Sequence, residues 1–134
     1  VDFKYYYDGI SKSVAAFIEK IDDERIAVAK VAGFGVESVA DWLRRTYGVM
    51  GSNLYECIRN NESYREIDAP PKIECRYILE DVPNGLVPIE FLWNELGVAT
   101  PNITTIINLA NSVLNRDFRM TGRQISYREL NKNL

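Results

Sequence analysis

The sequence predicts an all-α domain of about six helices. Three observations carry that expectation. Apolar residues recur at spacings of three and four through stretches free of glycine and proline. Glycines stand where such stretches stop, as helix ends require. No segment alternates polar and apolar residues for long, and Asn84-Gly85 is flanked by prolines, which cannot sit in a paired strand.

Residues 11–32 carry the longest helix. Val14, Phe17, Ile18, Ile21, Val28 and Ala32 fall on helical spacing, and Gly33 supplies the stop. A second helix is expected over 37–47, with Val39, Trp42, Leu43 and Tyr47 toward the core and Gly48 at its C-terminal cap. A third, over 53–60, turns Leu54, Cys57 and Ile58 inward. All five prolines lie between positions 70 and 101. They mark a turn-rich middle through which apolar residues continue, so no domain boundary is placed there. Residues 88–96 form a further helix, with Pro88 in its first turn and Gly97 as its stop. Thr100-Pro101 reads as a helix start, threonine capping and proline leading. That helix runs to Asn115 on Ile103, Ile106, Ile107, Leu109, Ala110, Val113 and Leu114. A last turn is expected near residues 127–130, and there is no internal repeat.

A chain of 134 residues fits a single domain, 1–134. The net charge of −3 argues against nucleic acid or an anionic membrane as partner. Apolar runs fall far short of the ~20 residues of a membrane span. With no leader pattern visible, a cytoplasmic protein is expected. Cys57 and Cys75 show no CxxC spacing and read as reduced, buried or half-buried thiols. The chain has no histidine, so no transition-metal site is expected.

Several motifs have plain readings. Gly33-Phe34-Gly35-Val36-Glu37-Ser38 nearly matches a dinucleotide fingerprint, but a helix precedes it where a strand is required, so it reads as a helix–loop–helix corner. Glu19, Asp22, Asp23 and Glu24 with Arg25 read as a solvated face with local ion pairs. Asn61-Glu62-Ser63 and Asn102-Ile103-Thr104 are chance matches to the glycosylation pattern. Tyr5-Tyr6-Tyr7 reads as packing more readily than as a ligand wall.

The stretch Arg76-Tyr77-Ile78-Leu79-Glu80-Asp81-Val82-Pro83-Asn84-Gly85-Leu86-Val87-Pro88 leaves two readings open. One is a capping or ion-pair arrangement at a bend. The other is functional: arginine's planar fork binds and orients a carboxylate. Asp81, on a turn stiffened by Pro83, would then steer a second group. Aspartate commonly serves catalysis by fixing an imidazole's tautomer, and this chain contains no imidazole.

Ordered blocks across the chain carry a family likeness: Tyr7-Asp8-Gly9-Ile10, the run Ile21 to Ala29 with Asp22-Asp23-Glu24-Arg25 at its centre, Trp42-Leu43 with Tyr47-Gly48, the Arg76–Pro88 stretch, Gly97-Val98-Ala99-Thr100-Pro101, and Gly122-Arg123. Together they resemble the C-terminal helical domain of the opine dehydrogenases, the octopine and nopaline dehydrogenase family. The resemblance implies a fold related to the helical domain of 6-phosphogluconate dehydrogenase. It implies an N-terminal Rossmann domain that holds NAD(P)H, and reductive condensation of an amino acid with a 2-oxo acid. It implies that Arg76 binds a substrate carboxylate. It implies that Asp81 is a catalytic residue, paired with an acid–base histidine upstream of Val1.

The Rossmann half, the GxGxxG loop and the histidine are absent from this chain. A fragment of a two-domain enzyme is therefore expected, with no cofactor in this chain and no activity by itself. A domain cut from its partner exposes a former interface, and a homodimer through it falls within the expectation. Two alternatives stand beside this one. One is a non-catalytic helical binding or oligomerisation domain. The other is a domain of a related 2-oxo acid reductase, similar to ketopantoate reductase.

Overall fold

A computed structural model describes residues 2–132. Helix α1 (Lys12–Val31) is the spine against which the other elements are placed. On one side lie α2 (Val39–Tyr47) and α3 (Leu54–Arg59), followed by a 3₁₀ turn at Glu62–Tyr64. On the other side come α4 (Arg76–Leu79), a π-type turn (Val82–Leu86), α5 (Val87–Glu95) and α6 (Pro101–Leu114). Two short helices, α7 (Phe118–Thr121) and α8 (Tyr127–Lys132), follow. Among the described residues there is no strand, and Lys4 and Asp68 make an isolated antiparallel bridge. The all-α expectation holds. Its six helices correspond to α1, α2, α3, α5, α6 and α8. The additional α4 and α7 have four residues each, too short for a periodic apolar face to show.

The core is double, with α1 between its halves. Leu43, Leu54, Cys57 and Ile58 form one cluster, and Ile18 of α1 packs on it. Val82, Val87, Ile103, Ile107, Ala110 and Phe118 form the other, and Ile21 of α1 packs on that. Ile18 and Ile21 are three residues apart, so neighbouring faces of one helix address both halves.

The acids of α1 hold these halves by their helix ends. Glu19 Oε1 accepts from the first backbone N–H of α3, at Leu54, at 2.9 Å. Asp22 Oδ2 accepts from the first N–H of α2, at Val39, at 2.8 Å, while its Oδ1 is clamped by Arg25 at 2.7 and 2.8 Å. Glu24 accepts from the N–H groups of Asn102 (2.7 Å) and Ile103 (2.9 Å), which open α6 after the donorless Pro101. Each carboxylate thus takes an N–H group that no intrahelical carbonyl can reach, at the positive end of a helix dipole. The solvated-face expectation for Glu19, Asp22 and Glu24 is corrected here; only Asp23 is exposed to solvent. The Trp93 indole of α5 donates to the Glu24 carbonyl at 2.8 Å and ties a further helix to the same point.

Three further expectations change. Ser38 and Asn53 cap α2 and α3 with their side chains, but Thr100 does not cap α6. Its hydroxyl lies 3.3 Å from that of Thr104, and Glu24 takes over the capping. Trp42 and Tyr47 stay at the surface, edge to face at 5.9 Å, because α2 is short and Leu43 alone reaches the centre. Leu109 and Val113 are likewise on the exposed side of α6. Neither glycosylation match presents an accessible, unpaired amide: the Asn61 amide is buried, with Asn61 2% exposed, and the Asn102 amide donates to Glu24.

Replacing Glu24 by Ala should cost about 2 kcal/mol, since two charge-assisted cap bonds go with it. Asp23→Ala, on the wet face of the same helix, should cost within about 0.5 kcal/mol. Urea denaturation of the two variants, followed by circular dichroism, measures the difference; equal midpoints would contradict the capping role.

Candidate functional site

Arg76 is the first residue of α4, and Cys75 precedes it without a side-chain cap. The Arg76 side chain is 80% exposed, and its Nε lies 3.2 Å from Glu80 Oε2 one turn on. Such a surface pair holds a side chain loosely, at a few tenths of a kcal/mol. Asp81 lies two residues past the end of α4, at the start of the next turn, and is also exposed. The ion-pair reading therefore describes Arg76, whose partner is Glu80. Arg76 opens α4 and Asp81 lies just beyond it, both toward solvent.

The backbone after Asp81 is unusual. The Val87 N–H donates to the Val82 carbonyl, five residues back, which is the widened spacing of a π turn. Pro83 and Pro88, which flank the turn's interior, have no N–H to give. Turns of this type recur at functional positions because they re-aim the residues beside them. Here Val82, Pro83 and Val87 point into the core, while Asp81 stays outside.

The turn is braced from behind by the end of the chain. Arg123 N–H donates to the Pro83 carbonyl at 2.9 Å. Gly122 makes that approach possible: a Cβ there would lie 2.6–2.7 Å from the carbonyls of Phe118 and Pro83 and from Val87 Cγ1. The late Gly122-Arg123 pair thus belongs physically to the Asp81 turn. Helix α7 is locked in place by Glu90, whose side chain is 9% exposed. Arg119 grips both oxygens of that carboxylate, at 2.6 and 2.8 Å, and Thr104 donates to one at 2.6 Å. The Arg119 bonds hold the Glu90 carboxyl below its ordinary range, against the opposing effect of burial.

An open groove of about 500 Å³ runs beside α4. Tyr5, Cys75 and Tyr77 line it, with Val14 of α1 and Ile73 from the proline-rich loop. The rings of Tyr5 and Tyr77 meet at 5.3 Å. Burial raises the Tyr5 phenol's pKa, with smaller contributions from Tyr6 and Tyr77 beside it. The other two tyrosines of the triplet are packing groups, as expected. Tyr6 stacks on Tyr64 at 4.0 Å, and the Tyr7 hydroxyl donates to the carbonyls of Arg59 and Asn61. The pairing of Tyr5 with Tyr77 is not legible in the sequence, because no local pattern brings residues 72 positions apart to one wall; the bridge between residues 4 and 68 does so.

Among the described residues no cluster of three metal-ligating side chains occurs. No helix is long and apolar enough to cross a membrane, again among the described residues. The Gly33–Gly35 corner follows α1, a helix, as its sequence context predicts.

The family model for the NAD/NADP octopine/nopaline dehydrogenase α-helical domain matches residues 1–114. The chain belongs to the octopine/nopaline dehydrogenase family. It is 41% identical to an opine dehydrogenase from Arthrobacter sp. (strain 1C) over 123 residues, covering 92% of the chain and 34% of that protein. It is 27% identical to a tauropine dehydrogenase of Arabella iricolor, over 90% of the chain and 37% of that protein. Its fold is similar to that of octopine dehydrogenase solved with NADH and L-arginine, with a TM-score of 0.74 at 24% identity, over 81% of this chain and 32% of that one. The chain thus spans about a third of the length of the curated relatives it matches.

Two outcomes test the bracing of the Asp81 turn. Gly122→Ala should destabilise the domain by roughly 1–3 kcal/mol, because the clashing atoms are mostly backbone and cannot yield; an unchanged melting temperature would contradict the close approach. Glu90 titrates lower folded than unfolded, so its contribution is complete above its ordinary value of 4.5 and is lost as pH falls through the folded pKa. Stability should therefore drop below that pH, with a shallower acid limb in Glu90→Gln, as read from urea midpoints across a pH series.

Proposed function

We propose that this chain is the C-terminal helical domain of an NAD(P)H-dependent opine-type dehydrogenase, which reductively condenses an amino acid with a 2-oxo acid. The observation that carries the reading is the pairing of family and geometry. The chain belongs to the family, and it carries an exposed, loosely held guanidinium at the start of α4 and an exposed carboxylate just beyond that helix.

Nicotinamide would supply hydride, from residues outside this chain. The described residues contain no strand, so they offer no strand–turn–helix cradle for a dinucleotide, and the one near-fingerprint follows a helix. Residues of this chain bind and orient. The Arg76 fork binds a substrate carboxylate through two parallel N–H bonds and fixes its orientation. The weak Glu80 pair exchanges for that bond at little cost. Asp81 accepts the N–H of a histidine on the preceding part of the enzyme, holds its tautomer and stabilises its protonated form. The π turn keeps Asp81 outward while its neighbours are buried.

In the complete enzyme, Arg76→Ala should lower kcat/KM about 10- to 100-fold, equivalent to the ~1.5–3 kcal/mol of a charge-assisted bond. Steady-state kinetics with pyruvate and a panel of amino acids measures this, and unchanged constants would remove Arg76 from the site. This chain alone should neither bind nor oxidise NADH; saturable binding by calorimetry would move the cofactor site onto it.

A further inference from the structure

We infer that Asn84 is a site of spontaneous covalent modification: its carboxamide is lost to attack by the backbone nitrogen of Gly85, and the turn beside Asp81 is rebuilt with an isoaspartyl link. Asn84 is the one asparagine in the sequence that is followed by glycine. Its side chain is exposed, and among the described residues its carboxamide has no hydrogen-bond partner. The reaction needs the Gly85 nitrogen to reach the side-chain carbonyl carbon of Asn84. The peptide unit between the two residues must therefore swing out of its helical orientation, by rotation at Asn84 and counter-rotation at Gly85, which has no Cβ to forbid it.

The turn pins the peptide unit before Asn84 and leaves the one after it free. The Asn84 N–H donates to the Glu80 carbonyl at 3.0 Å, and the Pro83 carbonyl accepts from the Arg123 N–H at 2.9 Å, so the unit joining Pro83 to Asn84 is held at both ends. The Asn84 carbonyl belongs to the next unit. Its α-helical donor would be the N–H four residues on, and that residue is Pro88, which has none. A Cβ at Gly85 would meet nothing within 4 Å, so no neighbour obstructs the rotation. Asn111 makes the contrast: it precedes the small Ser112, but it lies within α6 and its Oδ1 accepts the Phe118 N–H at 3.0 Å. The chemistry needs only solvent. The Gly85 nitrogen bonds to Asn84 Cγ, and the amide nitrogen leaves as ammonia with the Gly85 proton. Water then opens the five-membered imide at either carbonyl. One opening gives aspartate. The other gives isoaspartate, which routes the main chain through the side chain and lengthens it by a methylene. The bond that closes the π turn, from the Val87 N–H to the Val82 carbonyl, spans that link. The lengthened chain cannot close the turn in the same way, and Asp81 loses the support that keeps it outward.

The test incubates the complete enzyme in mildly alkaline buffer, which favours the deprotonated, attacking amide, and follows its peptides by mass spectrometry. Asn84 should convert to aspartate and isoaspartate while Asn111 stays intact. The consequence for activity rests on the dehydrogenase reading: NADH oxidation with pyruvate and an amino acid should be lost in proportion to isoaspartate at position 84. Gly85→Ala, which the open space there admits, should stop both the conversion and the loss over the same incubation, whatever its starting activity. Asn84→Asp carries the new charge without the added methylene and should be active and stay so. An Asn84 that keeps its amide in the folded enzyme, or a Gly85→Ala variant that loses activity as fast as the unmodified sequence, would overturn the site. Conversion to isoaspartate with undiminished activity, or an Asn84→Asp variant inactive when fresh, would overturn the part given to the rebuilt turn. An enzyme that oxidises no NADH before incubation would overturn the dehydrogenase reading and leave the modification standing, because mass spectrometry detects it without turnover.

Discussion

The architecture depends on carboxylates of α1 meeting the starts of other helices. A helix start presents N–H groups with no carbonyl four residues back, and leaving them unpaired in the interior is costly. Glu19, Asp22 and Glu24 supply the acceptors for α3, α2 and α6. At about 3.6 residues per turn, Glu24 projects from nearly the opposite side of α1 to Glu19 and Asp22. The helix therefore reaches into both halves of the domain at once. Each such bond fixes a helix end in position and direction, which an apolar contact alone does not do. Without these bonds, the two hydrophobic clusters would each remain buried on α1 but with less definite crossing geometry.

The candidate site inherits its rigidity from one half of that arrangement. Glu24 seats α6, α6 carries Ile103 and Ile107, and those side chains pack with Val82 and Val87 on either side of the π turn. Glu90 and Arg119 then press α7 against the same turn, and Gly122 lets the following backbone reach the Pro83 carbonyl. Asp81 is thus a wet residue on a dry, multiply tethered base. Arg76 is different: a surface pair with Glu80 holds its side chain, which stays 80% exposed. One short segment therefore combines a carboxylate on a tethered backbone with a guanidinium held at the surface.

Much of this was legible in the chain itself. The helix over 11–32, the stops at Gly33, Gly48 and Gly97, and the inward set Leu54, Cys57 and Ile58 all appear as read. The errors have a common origin. Trp42 and Tyr47 were assigned inward on apolarity, but a helix of nine residues has room for only a narrow buried stripe. Charge alone places the α1 acids in solvent, yet they meet N–H groups 17 to 79 residues away. Thr100 has the right residue type for a cap, but a carboxylate from α1 arrives at those donors instead.

The sequence by itself determined where helices begin and stop, because backbone dihedral preferences and the period of apolar residues act over a single turn. It also determined the family likeness and the Arg76–Asp81 stretch, since ordered blocks need no knowledge of space. Only the tertiary structure decided which carboxylate caps which helix, that Tyr5 and Tyr77 form one wall, and that Gly122 supports the turn after Asp81. Those facts depend on distances between segments far apart along the chain. Such distances are set by how the α1 carboxylates and the two apolar clusters can all be satisfied together.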